Sequence, residues 1–149
     1  MAKRNLTRLL SQFNYPAALA AINDLSEELW EEDKGCLYTP LTNTGLVMRL
    51  TGGSFPAQQV EIESLKVTGT LAPHLHERSN TAALVTGVGI DGAPEQWLDD
   101  RWHPLSEGQI VEIPAGTPHG FRVNQTTLEP FFLLVVADPP IADGDTVYI

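Results

Sequence analysis

Polar and apolar positions along this chain change their period once, near residue 46. Before that point Leu6, Leu9, Leu10 and Phe13 recur three or four apart, the repeat that gathers side chains on one face of a helix. Asn14-Tyr15-Pro16 breaks the pattern and restarts it, because proline fits the first turn of a helix. Ala18, Ile22, Leu25 and Leu29 make a second apolar stripe; Glu27, Glu28, Glu31 and Glu32 crowd its end, and Gly35 is the predicted stop. Carboxylates late in a helix oppose its dipole, so this acidic run calls for a solvated face or a basic partner. Two such short helices cannot bury both stripes by themselves. They are expected to pack on the outside of the main domain or across a dimer interface.

From Leu46 onward the segments read as strands. Leu46–Leu50, Val60–Leu71, Thr81–Thr86, Gln96–Leu98, Arg101–Leu105, Gln109–Ile113, Phe121–Asn124 and Phe131–Ala137 are short and β-like. Turn signals separate them, among them Gly52-Gly53, Asp91-Gly92, Ser106-Glu107-Gly108 and Pro114-Ala115-Gly116. Trp97 to Trp102 reads as a hairpin turning on Asp99-Asp100, and Asp145–Ile149 as an edge strand after the Pro139-Pro140 break. Many short strands at regular spacing predict a sandwich or barrel. The expected division is an N-terminal helical extension, 1–45, and an all-β barrel, 46–149.

Composition narrows the function classes. The chain has 149 residues, ordinary globular proportions and a net charge of -10. Such an acidic surface repels phosphate backbones and anionic lipid, so neither nucleic acid nor membrane is an expected partner. No apolar run reaches the length of a membrane span, and Arg8, Ser11 and Gln12 interrupt the N-terminus where a signal peptide would be apolar, so a cytoplasmic protein is expected. The single cysteine, Cys36, excludes a disulfide framework within the chain and a cysteine-based zinc cluster.

The chemistry-bearing residues are histidines. His74 and His76 sit two apart, a spacing that sends both rings to the same face of a strand. His119 follows a strand that ends at Pro114 and turns on Gly116. A metal site needs this kind of placement: neutral imidazoles converging from stiff backbone.

At these residues the chain resembles the cupin superfamily. Its second motif, G-x5-P-x-G-x2-H followed by an asparagine, is similar to the run Gly108, Pro114, Gly116, His119, Asn124. Its first, G-x5-H-x-H-x3-4-E-x6-G, is matched by His74, His76 and Gly87, with Gly69 one residue too close. The resemblance spans roughly Leu46 to Ala137. It implies a double-stranded β-helix (jelly roll), a divalent metal such as Fe, Zn, Ni or Mn held by His74, His76 and His119, a small-molecule ligand and a homodimer. The chain departs from the family where the motif's glutamate belongs, for position 80 is Asn80.

A site without that carboxylate keeps the full charge of its metal. Asn80 is then expected as a weak ligand or a hydrogen-bonding support, and an anionic substrate is favoured. Ala82 and Leu84, alternating with Asn80, and Phe121, two past His119, are expected to line the pocket with apolar surface. Neither a nucleophile nor an acid–base pair stands out: Ser79 and Thr117 lack an activating base, and Glu77 is the one nearby carboxylate. Three-histidine cupins that this arrangement resembles include thiol and diketone dioxygenases using ferrous iron. A dioxygenase-like enzyme is therefore the expectation, and a non-catalytic sensor or storage module the alternative.

Overall fold

The computed structural model describes residues 5–12, 20, 31–33, 36–40 and 60–149. Among them helix α1 (Leu6–Ser11) and the helical residue Ala20 precede eleven strands: β1 (Glu31–Asp33), β2 (Cys36–Pro40), β3 (Glu61–Val67), β4 (Thr70–His76), β5 (Asn80–Thr86), β6 (Glu95–Leu98), β7 (Arg101–Pro104), β8 (Ile110–Ile113), β9 (His119–Arg122), β10 (Phe131–Asp138) and β11 (Thr146–Tyr148). They form two antiparallel sheets, ordered β1-β2-β3-β10-β5-β8 and β11-β4-β9-β6-β7. The all-β reading holds. No helix of the described residues is long and apolar enough to cross a membrane.

Two expectations are corrected in the N-terminal part. Glu31 and Glu32, expected at the end of a helix, lie in β1, which pairs with β2. β2 in turn pairs with β3, Cys36 opposite Val67. The sheet thus takes two strands from the segment assigned to the helical extension, because ladder pairing with a distant strand outweighs a local helical repeat. The second helical stripe and Leu46–Leu50 lie outside the described residues.

The predicted strand Val60–Leu71 divides at Thr68-Gly69 into β3 and β4, which belong to different sheets. Hairpin β6–β7 turns on Asp99 and Asp100, both left-handed with φ of 52° and 63°. A two-residue loop with both residues at positive φ matches the twist of the strands it joins.

Between the sheets, register decides where the barrel is filled and where it is hollow. Along β10, Leu133 lies between Leu65 of β3 and Val85 of β5, all three in the apolar core. Two residues on, Val135 lies between Glu63 and Ala83, and Ala137 between Glu61 and Thr81. Phe131, Val67 and Val123 close one end. At the other, polar side chains replace apolar ones and a cavity opens.

The outer face of the six-stranded sheet is also apolar. α1 packs there on β10, β5 and β8. Leu6 and Leu10 are buried, and the Thr7 hydroxyl bonds Glu112 on the outward side of β8. Asn5 caps the helix, its side chain accepting from the Arg8 N–H at 3.0 Å. Burying Leu10 alone is worth about 1.5–3 kcal/mol.

Candidate metal centre

Backbone irregularity places the three histidines. On β4 the register against β9 runs Leu71 opposite Phe121, then His74 opposite His119. Three steps on one strand match two on the other, so β4 carries one extra residue at Ala72-Pro73. Without that bulge Leu71 and His74 would face opposite ways; with it both line the cavity. Proline suits the position because it has no N–H to offer a ladder. Gly120 accommodates the bulge: a Cβ there would stand 2.8 Å from the Leu71 carbonyl oxygen and 3.2 Å from the Pro73 nitrogen. The turn before β9 is tied down as well, the Gly116 N–H donating to the His76 carbonyl at 2.7 Å.

The three rings gather in one place. Centroids lie 4.3 Å apart for His74 and His119, and 5.1 Å for His74–His76 and His76–His119. Their ligand nitrogens all lie within 4.8 Å of one another, and all three side chains are buried. Each Nδ1 has a partner: the Ala72 carbonyl at 2.7 Å for His74, the Thr117 carbonyl at 2.9 Å for His119, and the Thr146 hydroxyl at 3.1 Å for His76. A carbonyl only accepts, so in His74 and His119 Nδ1 carries the proton and Nε2 keeps its lone pair for the cavity. Burial, reinforced by the neighbouring His74, lowers His76 to about 4 and His119 to about 3. Both rings are neutral at pH 7, the form a metal requires. The donor set fits one divalent ion.

The cavity measures about 400 Å³. Phe121 is among its lining residues. Ala82 and Leu84 are not; Thr81 and Ala83 are. Ala82 and Leu84 alternate onto the opposite face of β5, the side on which α1 packs. Asn80 shares their phase and is absent from the lining. Its Oδ1 accepts from the Ala115 N–H at 2.9 Å and braces the turn before β9. A slip of one residue in the alternation accounts for all three corrections. Asn124 bonds the N–H groups of Thr126 and Thr127 and shapes the next turn.

Other side chains weighed from sequence also settle. Glu77 is exposed. Arg78 reaches Asp145, Nε to Oδ1 at 3.4 Å. Arg122 lies outside the cavity, 4.3 Å over the Trp102 ring and 2.9 Å from Glu95. His103 meets the Leu98 carbonyl within its own hairpin at 3.0 Å.

Sequence reasoning missed the cavity's other polar residues. Glu61 and Glu63 project from β3 in the opposing sheet, and Asp143, Thr146 and Tyr148 come from the C-terminal segment. The first two were legible, since they alternate in phase with core residues Leu65 and Val67. The C-terminal group had no signal, because only the pairing of β11 with β4 brings it to the histidines.

Comparison with known proteins agrees with this architecture. Residues 61–137 match the family model described as a cupin domain. That span is more than half of the chain, and the chain belongs to the cupin family. No curated protein matches the sequence. Among solved structures, Pac13 of Streptomyces, described as a nucleoside dehydratase and solved with uridine, shares 14% identity over 83% of this chain and 87% of its own, with a TM-score of 0.56. The polyketide cyclase RemF of Streptomyces resistomycificus shares 21% over 85% and 81%, TM-score 0.59. KdgF from a Halomonas species shares 22% over 74% and 86%, TM-score 0.53. Likeness at these identities establishes a common fold.

Proposed function

We propose that this cupin binds one divalent metal ion on His74, His76 and His119 and acts on a small neutral molecule rich in hydroxyl groups, with Glu61 or Glu63 moving a proton. One observation carries the reading: three buried imidazoles converge from one sheet, and two carboxylates project into the same cavity from the other. A bound metal would supply Lewis acidity toward a substrate oxygen. The carboxylates would accept a proton from the substrate or hold it for a leaving hydroxyl. Leu71, Phe121 and Leu133 would exclude water from the floor of the cavity. With Asp143, the described residues of the lining include three carboxylates and neither arginine nor lysine. That charge disfavours the anionic substrate expected from the metal alone and favours a neutral one. The reading agrees in kind with two relatives of this fold, one named a nucleoside dehydratase and one a polyketide cyclase.

The test has two parts. Metal analysis and zinc or nickel titration should give one ion per chain, lost in His119→Ala. Metal-loaded protein in deuterium oxide, with a panel of nucleosides and hydroxyketones, should then catalyse deuterium exchange at an acidic C–H or elimination of water. Glu61→Gln and Glu63→Gln should suppress that activity while keeping the metal. Exchange that survives in both variants, and in the double variant, rules out the carboxylates.

A second reading is a ferrous dioxygenase-like enzyme acting on a thiol or diketone, favoured by the all-imidazole donor set. Oxygen uptake on loading with ferrous iron separates it from the first. If neither exchange nor uptake occurs with any metal, the cavity serves a binding module. Light scattering checks the homodimer that the family resemblance implies.

A further inference from the structure

Among the described residues, His76 takes its Nδ1 partner from a remote segment. His74 and His119 bond the carbonyl two residues earlier in their own chain segment. His76 meets the hydroxyl of Thr146, seventy residues away, on the C-terminal edge strand β11. A hydroxyl can donate or accept, so this contact admits either tautomer of His76 where the carbonyls permit only one.

The segment around Thr146 is anchored with unusual care for an edge. The Asp145 side chain is buried, 1% exposed, and accepts from the Arg78 N–H at 2.7 Å and the Ser79 N–H at 3.3 Å. Its carbonyl accepts from the Glu77 N–H at 2.9 Å. Thr146 then pairs directly with His76, and Tyr148 with His74. The three residues that follow His76 are thereby locked to the residue that precedes Thr146.

Building on the metal reading above, we propose that Thr146 is a positioning residue for the metal centre: its hydroxyl accepts from His76 Nδ1–H, leaving the Nε2 lone pair toward the cavity, and Asp145 holds it in place. Losing a partner of this kind lowers metal affinity by about 10–100-fold.

Ring-nitrogen NMR of the metal-free, full-length protein tests the tautomer directly and needs no substitution. His76 is expected as the Nδ1–H form; a predominant Nε2–H form overturns the proposal. Zinc affinity, measured by chelator competition, should fall at least tenfold in Thr146→Val and stay within threefold in Thr146→Ser. Asp145→Ala should show a loss similar to Thr146→Val, and the double variant should be no weaker than the worse single one, since both act through His76. Wild-type affinity in Thr146→Val, or fully additive losses in the pair, refutes it. Should Thr146→Val fail to fold, the wild-type tautomer and the Thr146→Ser affinity still decide. If zinc does not bind the wild type at all, the metal reading fails, and the tautomer measurement still tests the role of Thr146 separately.

Discussion

Acidification of the metal-free protein should reveal how completely the fold suppresses protonation of His119. Burial, aided by His74, takes this ring from 6.5 to about 3. The native state then stays neutral at pH 5, while the unfolded chain binds a proton below pH 6.5. A group whose folded pKa is lowered in this way, and which is charged only when protonated, destabilises the fold as pH falls, because the unfolded state binds the extra proton. Stability linked to His119 is therefore complete above pH 6.5 and declines from there toward pH 3. Between pH 7 and pH 5 the loss is about 2 kcal/mol, from 1.36 kcal/mol per pH unit over roughly 1.5 units. In melting temperature that is roughly 4–8 °C for a chain of this size. Urea unfolding in the presence of a chelator, at both pH values, compares wild type with His119→Gln. The variant lacks the titrating ring, so its loss over the interval should be about 2 kcal/mol smaller. Equal losses in the two proteins would refute the argument that His119 is held neutral.

Further outcomes follow from the same geometry. Asn80→Glu, which restores the family's carboxylate, should leave zinc affinity within about threefold, because position 80 serves the turn at Ala115 and not the cavity; a large gain in affinity would show that the side chain reaches the metal. Gly120→Ala should weaken metal binding at least tenfold, since its Cβ would press on the bulge that orients His74, and chelator competition with a circular-dichroism control reads this out. Leu10→Ala should cost about 2–5 kcal/mol in urea unfolding through loss of the α1 contact with the outer sheet face, and should leave zinc affinity unchanged. Replacing Asp99-Asp100 by Asn-Gly should stabilise by up to about 1 kcal/mol, both residues already lying at positive φ.

The sequence by itself determined the fold class and the three imidazoles. Period-2 segments divided by turn signals, together with the spacing of His74, His76, Gly116 and His119, are local properties, and local properties survive in a one-dimensional reading. Phase within a strand was less secure. Ala82 and Leu84 were placed on the wrong face because a one-residue slip inverts every side chain, and nothing local pins β5 to its neighbours. The bulge at Ala72-Pro73, the strands drawn from residues 31–40 and the bond from Thr146 to His76 belonged to the tertiary structure alone. Each depends on which distant strands lie side by side, and that choice is made by burying both sheet faces at once, not by any residue's own preference.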